Sequence, residues 1–218
     1  MKKVSVEELL KMLDKYKYRQ FHIHHTWKPN HNDFNGNNHI RLQQSMKNYH
    51  VNTNGWSDIG QHISVFPDGV IVTGRNFGRS PASIKGWNTG AFAMEMIGNF
   101  DIGHDKLEGK QKETVLKLIK YFIENYGQSS IKFHREGPGV SKTCPGTSLN
   151  KLQLIGEAIK LNKKEVIQVV DNKDKPSEWA KEDWEWAKKE GYLDGNRPLD
   201  NITRQEIAIV VRRIVDEK

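Results

Sequence analysis

One cysteine, Cys144, in 218 residues excludes an internal disulfide framework. Its value must therefore lie in packing, reactivity or metal binding. Long apolar runs are also missing. None approaches the roughly 20 residues that a membrane-spanning helix needs, so membrane insertion is not expected. The stretch Met1-Lys2-Lys3-Val4-Ser5-Val6 lacks the apolar core of a secretory signal. Synthesis in a cytosol is expected from it, with any action outside reached by a route other than standard export.

Charge, by contrast, is plentiful. Charged residues make up 28% of the chain and the net charge is +7, as suits a soluble globular protein. The charge is uneven: residues 176–218 hold eight Lys/Arg against ten Asp/Glu, which leaves +9 on residues 1–175. A basic body of this kind points to a polyanionic partner, either nucleic acid or an anionic cell wall. Charge alone does not choose between them.

Hydrophobic periodicity places a helix over 5–16 with Ser5 as its cap, a strand over 18–25, and a helix near 39–50. Ile63-Ser64-Val65-Phe66 and Val70-Ile71-Val72 flank Pro67-Asp68-Gly69, a hairpin signal. A buried strand over 91–97, an amphipathic helix over 109–126, a short strand over 131–134 and a helix over 149–161 follow. Strands alternate with helices, which predicts an α/β domain on a mixed central β-sheet flanked by helices. Composition shifts at Asn162-Lys163-Lys164 and again at Asp171 to Pro176. The expected organisation is a domain over 1–162, a charged linker over 163–175, and a small helical module over 176–218 with helices at 177–190 and 203–215.

Two histidine-bearing segments carry the chemistry. Phe21-His22-Ile23-His24-His25-Thr26 ends a strand in histidines, and His134 precedes Cys144 by ten positions in a Gly/Pro-rich loop. Two His and one Cys brought together would give zinc three protein ligands and leave a fourth position open, the pattern of a catalytic site. His22, His31, His39, His50 and His104 are read as ordinary loop or core histidines.

At these residues the chain resembles the type 2 N-acetylmuramoyl-L-alanine amidases, a family that includes phage endolysins, autolysins and peptidoglycan recognition proteins. The matching pieces are Ile23-His24-His25-Thr26, Trp56-Ser57-Asp58-Ile59-Gly60-Gln61-His62 and Pro67-Asp68-Gly69. Gly86-Trp87-Asn88-Thr89-Gly90, Glu95-Met96-Ile97-Gly98-Asn99-Phe100 and the His134-to-Cys144 loop follow in the family's order. The resemblance implies a Zn(2+) enzyme that cuts the amide between N-acetylmuramic acid and L-alanine, with its zinc site in a surface groove. Its alternative is a non-catalytic peptidoglycan-recognition module on the same fold. Such modules typically lack the Cys ligand that is present here.

Family ligands map to one of His24 and His25, to His134 and to Cys144. The family places its first His one or two positions before the Thr, so the pair stays open. Strand alternation favours His25, which shares a face with Phe21 and Ile23; His24 shares the more polar face of Gln20 and His22. The spacing of ten resembles the branch that uses Asp as third ligand, whereas Cys resembles the phage and recognition-protein branch. The resemblance makes Glu95 the base that takes a proton from water and Lys142 the cation that stabilises the oxyanion. Gln61 stands where many relatives have Tyr, and can orient water but not transfer protons. Ser83 stands where many have a substrate-side His. Trp87 and Asn88 are expected to line the substrate groove and Trp56 to lie in the core, while Arg75 and Arg79 read as surface charge.

The segment Glu178-Trp179-Ala180 through Trp184-Glu185-Trp186 to Thr203-Arg204-Gln205-Glu206 resembles one S-layer-homology-type unit, which implies binding to anionic wall polymers. A single unit binds weakly or through homodimerisation. The expected partners are bacterial peptidoglycan and those polymers. Nucleic acid is not expected, because it leaves the His/Cys constellation unexplained. The expected setting is a phage or prophage endolysin acting at the wall after release.

Overall fold

The computed structural model describes residues 1–170 and 181–192. The chain divides into two compact units, Met1–Leu161 and Asn162–Lys218. The first unit is built on a six-stranded sheet of β1 (Lys3–Val4), β2 (Gln20–His25), β3 (Ile63–Val65), β4 (Ile71–Thr73), β5 (Ala91–Met96) and β6 (Ile131–Phe133), in the order β1-β4-β3-β5-β2-β6. β4 pairs antiparallel with β1 and β3, while the β3–β5, β5–β2 and β2–β6 pairs are parallel. The sheet is mixed, as the alternation of elements predicts. β1, only two residues long, carries no periodic signal and was not expected.

Helix α1 (Val6–Leu13) starts at a capping box. Glu8 N–H donates to Ser5 Oγ and Ser5 N–H donates back to the Glu8 carboxylate, satisfying two otherwise orphaned donors. Helix α2 (His39–Asn52) and helix α3 (Gly109–Tyr126) match the apolar periodicity. Helix α4 runs over Lys151–Val170, so the chain stays helical where a linker was expected from residue 163. The charged composition there suggested a linker, but Lys, Glu and Gln are good helix formers, and no Pro or Gly occurs between Gly156 and Pro176.

The two faces of the sheet are chemically unlike, and this difference positions the site. One face carries Phe21, Ile23, Ile63, Val65, Phe92, Met94, Met96, Ile131 and Phe133, all buried in one core with Val115, Leu118, Ile119 and Phe122 of α3. Phe122 stacks on Phe21 at 4.4 Å between ring centroids. Because side chains alternate along a strand, the other face carries Gln20, His22 and His24 from β2, Ser64 from β3, and Ala93 and Glu95 from β5. Leu42 and Met46 of α2 cover its β3–β4 end, packed with Ile59, Phe66, Val72 and Ile97. The rest of that face stays open as a groove.

In the second unit the described residues are the end of α4 and a stretch holding helix α5 (Lys181–Lys189), with the Trp186 ring 5.5 Å from that of Tyr192. The helix expected over 203–215, and with it most of the S-layer-homology-like unit, lies outside the described residues. Among the described residues no helix is long and apolar enough to cross a membrane.

Candidate metal centre and groove

The open face of the sheet forms a groove of about 720 Å³ whose walls include His24, Gln61, Glu95, His134, Lys142 and Cys144. His24 comes from the end of β2, and His134 follows directly on β6, the strand beside it. Cys144 is delivered by the loop after His134. That loop is clamped by Arg135, whose backbone N–H donates to Cys144 O at 2.9 Å. The Arg135 guanidinium donates to the carbonyls of Thr143 at 3.2 Å, Gly146 at 2.8 Å and Leu149 at 2.7 Å. Gly146 has φ +121°, and a Cβ there would lie 2.3 Å from Phe100 O. Only glycine permits so close an approach of the two backbones.

One ligand atom each of His24, His134 and Cys144 lies within 4.8 Å of the others. The His24 and His134 rings are 4.5 Å apart. A tetrahedral zinc with Zn–N near 2.0 Å and Zn–S near 2.3 Å sets its N and S ligands about 3.5 Å apart, and His24 Nδ1 lies 3.6 Å from Cys144 Sγ. Two imidazoles and a thiol at this spacing fit zinc. The expectation put His25 in this set; the structure puts His24 there instead. His25 also borders the groove but is not in the cluster, and its Nδ1 is engaged elsewhere, accepting the Phe100 N–H at 3.1 Å. The apolar face that His25 shares with Phe21 and Ile23 is filled by α3 and has no room for substrate, so the site opens on the polar face. His25 organises the loop next to the site: the Phe100 carbonyl and the Asp101 carboxylate receive Ser148, Thr147 and Thr143 donors.

Burial governs the protonation of the cluster. His24 and His134 are held below the usual histidine range, chiefly by desolvation and then by nearby cationic or imidazole groups. The Cys144 thiol is pushed up to about 12, mainly by burial, with the Glu95 carboxylate adding to the effect. Without a metal the set is therefore two neutral imidazoles and a thiol. Glu95 lies opposite His24 in the β2–β5 register, and desolvation raises its pKa from 4.5 to about 8.

The remaining expected residues divide. Gln61 lines the groove, 4% exposed; its Nε2 donates to Ser64 Oγ at 2.9 Å, and its buried Oε1 has no hydrogen-bond partner. Lys142 lines the groove beside Cys144. Trp87 and Asn88 are not brought to it. The Trp87 ring lies under the Lys132 ammonium, and Asn88 Oδ1 accepts the backbone N–H groups of Ser83 and Ile84. Trp56, expected in the core, lines the groove and stays 37% exposed, with Trp27 and Tyr49 also on its walls. Trp27 has φ +57°, the only described non-glycine residue with positive φ. Arg135 and Trp27 were missed by sequence reading, since neither a carbonyl clamp nor a left-handed backbone leaves a side-chain pattern. The strained position of an aromatic on the groove wall is visible only in three dimensions.

A family model described as N-acetylmuramoyl-L-alanine amidase matches residues 14–147. Peptidoglycan-recognition protein SC1a of Drosophila melanogaster is 32% identical over 111 residues, covering 49% of this chain and 57% of that protein. A human N-acetylmuramoyl-L-alanine amidase is 32% identical over 79 residues, covering 36% of this chain and 14% of that protein. The chain thus spans little more than half of the former relative's length. Among solved structures, the amidase LysC of Clostridium intestinale URNW superposes with a TM-score of 0.53 at 23% identity, covering 65% of this chain and 85% of that one. Drosophila PGRP-LB gives 0.53 at 24% identity, covering 66% and 81%. At these identities the structural matches speak for the fold.

Proposed function

The chain belongs to the N-acetylmuramoyl-L-alanine amidase family, and from that premise we propose that it is a zinc-dependent hydrolase of the amide between N-acetylmuramic acid and L-alanine in bacterial peptidoglycan. The observation that carries this reading is the clustering of His24, His134 and Cys144 ligand atoms within 4.8 Å, at a groove that also presents Glu95 and Lys142. His24, His134 and Cys144 would hold the zinc, which would supply Lewis acidity for activating water and polarising a carbonyl oxygen.

The chain's own residues do the rest. Glu95 at the groove floor is the proton carrier: a divalent cation at the neighbouring ligand cluster would favour its ionised form over the protonated form of the metal-free protein, and that carboxylate takes a proton from the attacking water and returns it to the leaving nitrogen. Lys142 stands where negative charge develops on the carbonyl oxygen and opposes it. Gln61 lines the groove, where an amide orients water by hydrogen bonding but does not transfer its proton. Trp27, Tyr49 and Trp56 offer ring faces to the apolar surfaces of sugar and peptide. The +9 of residues 1–175 suits a wall rich in anionic polymers. We assign the activity to wall lysis by a phage or prophage endolysin, with residues 176–218 as a wall-binding module after the catalytic unit.

The test is mass spectrometry of the soluble products released from purified Gram-positive walls by the zinc-loaded protein. Stem peptides with a free N-terminal alanine, and no new reducing sugar ends, are expected. Cys144→Ser should abolish that release while wall binding persists. Intact walls recovered with wild-type protein bound would instead support a recognition module without catalysis.

A further inference from the structure

Four side chains form one hydrogen-bonded line that starts at the first residue of β2 and ends at the ligand cluster. Gln20 Oε1 lies 2.9 Å from His22 Nε2, His22 Nδ1 lies 3.0 Å from Ser83 Oγ, and Ser83 Oγ lies 2.5 Å from His24 Nε2. The far nitrogen of His24, Nδ1, is the one that faces Cys144 Sγ. His22 is fully buried and His24 is 8% exposed, so both rings are kept neutral.

A neutral imidazole has one N–H and one bare nitrogen, and a hydroxyl has one proton to give. The line therefore has two self-consistent proton arrangements. In one, His22 Nε2–H donates to Gln20, the Ser83 hydroxyl donates to His22 Nδ1, and His24 Nε2–H donates to Ser83. That arrangement leaves His24 Nδ1 bare. In the other every bond runs backwards, and His24 carries its proton on Nδ1, where it cannot ligate a metal. The first residue of the line breaks the tie, because a carbonyl oxygen at Gln20 can only accept.

We propose that Gln20, His22 and Ser83 are positioning residues, a relay that fixes His24 in its Nε2–H tautomer and so presents Nδ1 as a ready-made metal ligand. The proposal rests on the zinc assignment of His24 made above. A histidine without such a bias divides its population between tautomers, and only the competent fraction binds. Ser83 is held in place independently of the relay, since its backbone N–H and that of Ile84 donate to Asn88 Oδ1 at 3.1 and 3.0 Å. Removal of the hydroxyl alone therefore leaves the loop anchored.

The test uses full-length, metal-free protein labelled with ¹⁵N-histidine. Long-range ¹H–¹⁵N spectra should show both His22 and His24 protonated at Nε2. In Ser83→Ala the His24 signals should become those of a tautomer mixture, and zinc affinity by chelator competition should fall roughly 10–100-fold, with the melting temperature retained. Ser83→Thr, which keeps the hydroxyl, and Gln20→Glu, which keeps an acceptor at the head of the line, should both restore the wild-type tautomer and affinity. A wild-type His24 protonated at Nδ1 overturns the relay. So does zinc binding that ignores Ser83→Ala. A wild-type protein with the expected tautomers that takes up no zinc overturns the zinc assignment itself, and the relay's purpose with it.

Discussion

Glu95 keeps its proton to about pH 8, whereas an ordinary glutamate releases it near 4.5. Between those values the folded metal-free protein binds a proton that the unfolded chain has lost, so this residue's contribution to stability declines as pH rises from about 4.5 to about 8. The buried histidines act in the opposite direction. Desolvation lowers His22 to about 3 and His62 to about 4, so the unfolded chain binds protons first, and stability falls as pH drops below about 6.5. The two effects separate in thermal melts of chelator-treated protein. The melting temperature of Glu95→Gln relative to wild type should rise steadily between pH 4.5 and 8, and a flat difference would show that Glu95 ionises normally. The same substitution should reduce hydrolysis by roughly 10²–10⁴-fold if the residue is the proton carrier, measured as release of stem peptides from walls.

Among the elements, the face of the sheet opposite the groove is where stability is concentrated. Phe122 of α3 is fully buried and stacks on Phe21 and Phe92. Phe122→Ala should cost about 3–5 kcal/mol, read as a shift in the denaturant midpoint, with the ligand cluster on the other face unaltered in any protein that remains folded. The loop from His134 to Cys144 depends on Arg135 in a different way. Its guanidinium and backbone bind four carbonyls, those of Thr143, Cys144, Gly146 and Leu149. Arg135→Ala leaves three carbonyls without these donors and frees the Cys144 loop. Zinc affinity should therefore weaken more than global stability does, and equal losses in both would assign Arg135 to the core instead. Helices α1, α2 and α3 and the β3–β4 hairpin were legible in the sequence, because their apolar spacing and caps are local signals. β1 and the continuation of α4 were not. The first is too short to show a period, and the second is masked by a charged composition that suits a helix as well as a linker.

At the scale of the whole molecule, Met1–Leu161 contains the complete sheet, its core and the groove. A chain ending at residue 161 should fold and cleave soluble muropeptides at near the full-length rate, while its binding to intact walls falls; unchanged wall binding would remove the role proposed for residues 176–218. Zinc that binds only the folded state stabilises it by mass action, so chelation should lower the melting temperature of the wild type and leave Cys144→Ser unmoved. The sequence by itself determined the family, and it presented the candidates for its chemistry, namely two histidine segments, one cysteine, a glutamate in a β-strand and a lysine two residues before the cysteine, because residue type and order are written directly in it. It also determined the α/β alternation, since periods of two and 3.6 residues are properties of the chain. The tertiary structure decided which histidine of the 24–25 pair faces the site. An alternating strand offers two faces, and only the packing of α3 shows which one is closed. It also decided that Trp56 rather than Trp87 lines the groove, and that Gln20, His22 and Ser83 line up behind His24, because contacts between residues about 60 positions apart exist only once the sheet has formed.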